Sequence, residues 1–83
     1  MKTGNTTMFS LPIERGEEIS EALKKVSMAL REKGYDPIGQ IVGYIMSGDP
    51  SYITSHGGAR SLLTKYDRDE ILEVVFSDYL QDK

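Results

Sequence analysis

Apolar residues recur along this chain at helical spacing. Between about Glu17 and Lys33, Ile19, Leu23, Val26 and Leu30 fall three and four apart, which lines them up on one face of a helix. Glu17 and Glu18 stand where the positive end of a helix dipole favours carboxylates, and Arg31 and Lys33 where the negative end favours cations. Gly34 offers the left-handed residue that commonly closes such a helix. Asp36 followed by Pro37 opens a second helix, because the carboxylate accepts free backbone N–H groups while proline fits the first turn. Ile38, Ile41, Val42, Ile45 and Met46 then share a stripe, which makes this helix, ending at Ser47 and Gly48, the expected centre of the core. Gly39 and Gly43 leave on it a shallow strip open to close approach by another helix.

Asp49 and Pro50 repeat the start signal, so Pro50 to about Thr54 reads as one short helical turn carrying Tyr52 and Ile53. Ser55 to Gly58 reads as a loop, followed by a short helix from Ala59 through Arg60, Leu62 and Leu63 to about Lys65. Asp67 is placed to cap a last helix whose broad apolar face is Ile71, Leu72, Val75, Phe76, Tyr79 and Leu80, widened by Val74. The spacing and the acidic first turn, Asp69 and Glu70, favour helix over strand there. Ahead of all this, Gly4, Asn5, the threonines and Pro12 interrupt any period. Residues 1–15 therefore read as a flexible arm, and residues 16–83 as a helical, dimerising domain. Met8, Phe9, Leu11 and Ile13 give the arm enough apolar surface to dock on the domain or on a partner. The expected fold class is all-α, a compact bundle of about five helices, two of them short.

An 83-residue chain can bury only a small core, and without cysteine it has neither disulfides nor a thiolate zinc site to add stability. Self-association is one further source of stability open to such a chain. The net charge of -3, from 13 acidic and 10 basic side chains, describes a mixed surface and argues against nucleic acid as a partner. No apolar run approaches the roughly 20 residues that span a bilayer, and the N-terminus lacks a signal-peptide pattern. Membrane insertion is not expected, and the expected compartment is cytoplasmic.

Candidate chemistry is sparse. His56 is the only histidine, there is no cysteine, and no serine shows the strand-to-helix nucleophile pattern. His56 beside Gly57 and Gly58 reads as an exposed loop residue; the alternative, a small hydrolase, needs it in a cleft with a hydroxyl in reach. Asp67, Asp69, Glu70 and Glu73 do not match a calcium loop and are accounted for by the helix dipole, so neither metal nor cofactor is expected. Gly48 to Tyr52 lacks the glycine repeat and lysine of a phosphate loop. The arm is richer: Thr3, Thr6 and Thr7 offer hydroxyls to a kinase, and a phosphate would add close to two negative charges and three acceptor oxygens.

The run EKGYDPIGQIVGYIMSGDPSYI, Glu32 to Ile53, resembles the IreB/ReoM family of small regulatory proteins of Gram-positive bacteria. The likeness continues through Ala59, Arg60, the run Arg68 to Ile71, then Tyr79 and Leu80, so it covers most of the chain. This resemblance implies a non-enzymatic, helical, homodimeric phosphoprotein. It implies modification of an N-terminal threonine by a membrane Ser/Thr kinase with extracellular PASTA repeats, and reversal by a partner phosphatase. It further implies a part in peptidoglycan synthesis and cephalosporin resistance, in some members through ClpCP-dependent degradation of MurA. The family's threonine precedes a Met or Val and an aromatic, which Thr7, Met8 and Phe9 match best, with Thr6 second. The family's functional arginines correspond to Arg60 and Arg68, and Lys65 keeps one further charge. Ser55 and Thr64 stand where relatives often carry basic residues, and Gly39 where many carry asparagine.

Overall fold

The structure, a computed structural model, describes residues 11–81. They form α1 (Ile13–Glu32), α2 (Pro37–Ser47), two short 3-10 turns (Pro50–Tyr52 and His56–Gly58), α3 (Ala59–Leu63) and α4 (Arg68–Gln81). No strand occurs among the described residues. The all-α reading holds.

Local chemistry sets most boundaries. Pro12, at φ -57° and ψ 149°, stands just outside α1 with its carbonyl accepting from the Gly16 N–H at 3.0 Å. The helix thus begins at Ile13, four residues earlier than the expected Glu17, because proline bars a helix interior but not its edge. At the other end Gly34 adopts φ 83°, its N–H bonds to Arg31 O at 2.9 Å and that of Tyr35 reaches back to Leu30 O at 2.9 Å. This paired return satisfies carbonyls that a bare helix end leaves open. The Asp36 carboxylate accepts the Gly39 N–H at 3.2 Å, and the Asp49 carboxylate accepts that of Ser51 at 3.0 Å, so both Asp-Pro signals work as start signals. The expected loop at 55–58 is in fact a 3-10 turn, with Gly57 and Gly58 both at positive φ.

The core is organised around α1. Ile19, Val26 and Leu30 are fully buried against Ile53, Leu63 of α3 and Ile71 of α4, with Tyr44 and Tyr66 closing the sides. Burial of each such aliphatic side chain contributes about 1.5–3 kcal/mol before entropy is counted. Ile53 sits just past the first 3-10 turn in extended backbone, φ -106° and ψ 126°, which turns its side chain inward.

The expectation that α2 is the centre of the core is overturned. Tyr44 is its one buried side chain; Ile41 and Ile45 are half covered, while Ile38 is 75% and Met46 78% exposed. Periodicity shows that a helix carries an apolar stripe, not which neighbour covers it. The broad face of α4 behaves similarly: Ile71 is buried, whereas Phe76 is 54% and Tyr79 64% exposed. The small-residue strip on α2 also has a different occupant from the helix expected there. A Cβ on Gly43 would stand 2.5 Å from the Tyr52 ring, and one on Gly39 2.8 Å from the Asp36 carboxylate.

Candidate functional site

The cations singled out in the sequence gather at the corner between α3 and α4. Arg60 is the second residue of α3, Lys65 lies in the turn that follows, and Arg68 opens α4. Arg60 reaches back to the segment between α2 and α3, and Arg68 to the last turn of α2. The Arg60 Nε donates to Ile53 O at 2.9 Å, and the Arg68 Nη1 donates to Ile45 O at 2.9 Å. A cation over the last turn of α2 suits the negative end of its dipole. Gly48 makes room for it: at φ 75° it closes α2, and any Cβ there would meet the Arg68 guanidinium at 3.0 Å.

Asp49 lies under the same corner. Its carboxyl is held below the usual carboxylate range by hydrogen bonds from Ser51, with the Arg60 charge adding to the effect. Gln40 Nε2 donates to Tyr52 O at 2.9 Å, so the adjacent carbonyls of Tyr52 and Ile53 are each held by a side chain. Each guanidinium carries five N–H donors, so both arginines keep capacity for an anionic partner beyond the carbonyl each already holds. Arg68 is exposed, Arg60 half-buried, and the Lys65 ammonium stands 6.0 Å from the Tyr66 ring centroid.

A second cluster joins the first turns of α1 and α4. Arg15 grips Glu70 through two bonds, Nε to Oε2 at 3.2 Å and Nη2 to Oε1 at 3.0 Å, while its guanidinium lies 4.8 Å from the Tyr66 ring centroid. Glu70 also accepts the Asp67 N–H at 3.1 Å, the return half of a capping box. The Arg15 bond and this N–H pull the Glu70 carboxyl below its ordinary range, and the same bond raises the Arg15 guanidinium. Burial raises the Tyr66 phenol, helped by Glu18, which accepts from its hydroxyl at 3.4 Å. The acidic residues at the start of α4 are thus occupied in part by structural partners. Among the described residues no group of three or more His, Asp or Glu side chains is placed to hold a metal ion.

Two further surfaces stand out. An open groove of about 780 Å³ runs between α1, α2 and α4, floored by Leu23, Ile41 and Val74 and flanked by Ile38, Val42 and Tyr79. A smaller crevice lies where the described chain begins, with Leu11, Pro12 and Ile13 on one side and Glu73, Ser77 and Gln81 of α4 on the other. In the Glu73 side chain, Oε1 is covered and has no hydrogen-bond partner. An acceptor in that state costs about 1–3 kcal/mol relative to a satisfied one.

Thr6 and Thr7 lie outside the described residues. His56 sits on the surface rather than in a cleft, its ring 42% exposed and its Nε2 2.8 Å from Glu32 Oε1. No helix among the described residues is long and apolar enough to cross a membrane. Sequence reasoning did not find the Arg15–Glu70 pair, whose members are 55 residues apart and carry no local signature. Nor did it single out Glu73 beyond the helix dipole.

A family model described as IreB regulatory phosphoprotein matches residues 4–81. Two relatives, both called UPF0297 protein, are similar over nearly the whole chain. One, from Acetivibrio thermocellus, is 51% identical over 82 residues, covering 99% of this chain and 91% of the relative. The other, from Ruminiclostridium cellulolyticum, is 49% identical over 82 residues, covering 99% and 93%.

Proposed function

The chain belongs to the IreB family of regulatory phosphoproteins, and on that premise we propose that it is a non-enzymatic, cytoplasmic switch whose phosphoacceptor is Thr7, with Thr6 as second choice. The kinase is of the PASTA-repeat Ser/Thr class, and a cognate phosphatase reverses the mark. The output is control of peptidoglycan synthesis and of cephalosporin resistance, through ClpCP-dependent turnover of MurA. The observation that carries this reading is the family match, which runs from residue 4 and so takes in the Thr7-Met8-Phe9 motif together with Arg60 and Arg68.

The arrangement supports an adaptor rather than a catalyst. Arg60, Lys65 and Arg68 form a cationic corner on a braced loop, suited to an acidic surface of a partner protein. The exposed apolar side chains of α2 and α4 suit a second copy of the chain, and we assign the homodimer contact to them. The direct test is phosphorylation by the kinase domain followed by mass spectrometry. Incorporation of one phosphate, lost in Thr7→Ala and unchanged in Thr6→Ala, is expected, together with altered MurA turnover in cells carrying Thr7→Ala. Full phosphate incorporation into Thr7→Ala would move the switch to another hydroxyl.

A further inference from the structure

Arg15 and Arg68 use different sides of the same group. Arg15 grips Glu70 along the edge formed by Nε and Nη2, at 3.2 and 3.0 Å, and that edge matches the two oxygens of a carboxylate. Arg68 spends Nη1 on Ile45 O at 2.9 Å, so its own Nε and Nη2 edge makes no hydrogen bond to a described residue. Nor does a carboxylate of any described residue stand in ion-pair range of it. Arg60 differs: its Nε is taken by Ile53 O, and its charge already acts on Asp49. We infer that Gly48 is the positioning residue of a carboxylate-binding site on Arg68. Its bare α-carbon lets the guanidinium rest on the end of α2, which leaves the Nε and Nη2 edge open to an acidic segment of a partner protein. The inference rests on the reading of this corner as a docking surface, and adds which edge docks and what aims it.

The seat under the guanidinium is tightly bonded. The Gly48 N–H donates to Tyr44 O at 2.7 Å, Ser47 Oγ donates to Gly43 O at 2.7 Å, and the Asp49 N–H donates to Ser47 Oγ at 3.0 Å. These bonds hold the end of α2, where helix carbonyls otherwise lack partners. A Cβ on Gly48 would stand 3.0 Å from Arg68 Cζ and Nη1 and 3.2 Å from Nη2, closer than ordinary contact. Of the two neighbours, the exposed arginine side chain is the one free to move. A side chain at position 48 therefore displaces the guanidinium and breaks its bond to Ile45 O before it disturbs α2. The negative end of the α2 dipole adjoins the site, which favours a singly charged carboxylate over a doubly charged phosphate.

The test uses the full chain with acetylated hexaglutamate as probe, and follows the amide shifts of Asp49, Ser51 and Asp69 by NMR at low salt. Gly48→Ala is expected to weaken binding about threefold, the scale of an exposed ion pair. Gly48→Asn should do the same with less cost to folding, since asparagine tolerates left-handed backbone. Gly34→Ala is the control: Gly34 is also left-handed, at φ 83°, but a Cβ there meets nothing within 4 Å, so binding should be unchanged. In an Arg68→Lys background, which keeps the charge and loses the edge, Gly48→Ala should have no further effect. Equal weakening by Gly48→Ala and Gly34→Ala, or a Gly48→Ala effect that persists beside Arg68→Lys, overturns the inference. So does tighter binding of inorganic phosphate than of the peptide at these amides. Parental affinity in Arg68→Ala sinks the docking reading of the corner as well, whereas a loss in Arg68→Ala with none in Gly48→Ala sinks the positioning role alone.

Discussion

Leu30, Leu63 and Ile71 on one side of α1, and Ile38, Phe76 and Tyr79 across α2 and α4, are drawn from the same apolar vocabulary at the same helical spacing. The first group is fully buried within the chain and the second is more than half exposed. The difference lies in what stands opposite. α3 and the extended residue Ile53 fold over α1 and seal it, whereas Ile38 of α2 and Phe76 of α4 stay largely open to solvent. Apolar area that is covered within one chain contributes to folding; area left open contributes only when something docks on it. A single substitution in each region should therefore report on a different equilibrium.

The largest expected effect is in the sealed region. Leu63→Ala leaves a cavity beneath α3 and should cost about 2–5 kcal/mol of folding stability. In a domain of this size that lowers Tm by about 4–8 °C per kcal/mol, as read by thermal unfolding. A loss below about 1 kcal/mol would mean that α3 collapses onto the vacancy and that the core is less tightly packed than the burial suggests.

Next comes Gly43, on the border between the two regions. Helix propensity alone favours alanine there by about 0.8–1 kcal/mol. The new Cβ would, however, press on Tyr52 Cε1, and overpacking costs about 1–3 kcal/mol, so the net expectation for Gly43→Ala is a loss. In a Tyr52→Ala background the same change should turn stabilising, and urea titrations of the four proteins measure that reversal of sign. Simple additivity would show that the ring is free to swing aside.

These two sites also mark how far the sequence was legible. The spacing of Ile19, Val26 and Leu30 placed α1 and its buried face, and the Asp-Pro pairs placed the starts of α2 and of the first 3-10 turn, because these signals are local. What sits opposite an apolar stripe is a tertiary fact. Ile38 and Met46 therefore read as core although they are exposed, and Tyr44 was passed over although it is buried. Gly43 read as a landing strip for a helix, while its occupant is a tyrosine nine residues on. Arg60 and Arg68 were found through family resemblance; that each holds a backbone carbonyl depends on a turn no spacing encodes.

The open region gives a smaller effect on folding and a larger one on association. Val42→Glu and Phe76→Glu place charge on exposed positions, so each should change the stability of the isolated chain by no more than about 0.5 kcal/mol. On the dimer contact proposed above, both should shift the protein toward monomer in sedimentation at tens of micromolar, because a carboxylate there would be desolvated without a partner. Dimers that survive both changes would assign the contact to another surface and leave these stripes to a different partner.

The smallest effect tests the polar clamp on the sealed side. Arg15 and the Asp67 N–H favour the charged form of Glu70, so its carboxyl ionises at lower pH in the folded protein than in the unfolded chain. Stability from this source is complete above the ordinary glutamate value of 4.5 and is lost as pH falls through the depressed folded value. Thermal unfolding followed from pH 6 downward should show Tm falling across that window, with a shallower fall in Glu70→Gln. Salt should weaken the pair only in part, since the Glu70 side chain is 21% exposed and the geometry is bidentate, while the Arg15 side chain at 39% keeps some contact with solvent. Identical pH profiles for the parent and Glu70→Gln would mean that packing around Ile71 alone holds α4 to α1. The open stripe of α4 would then owe its orientation to the sealed core without help from charge.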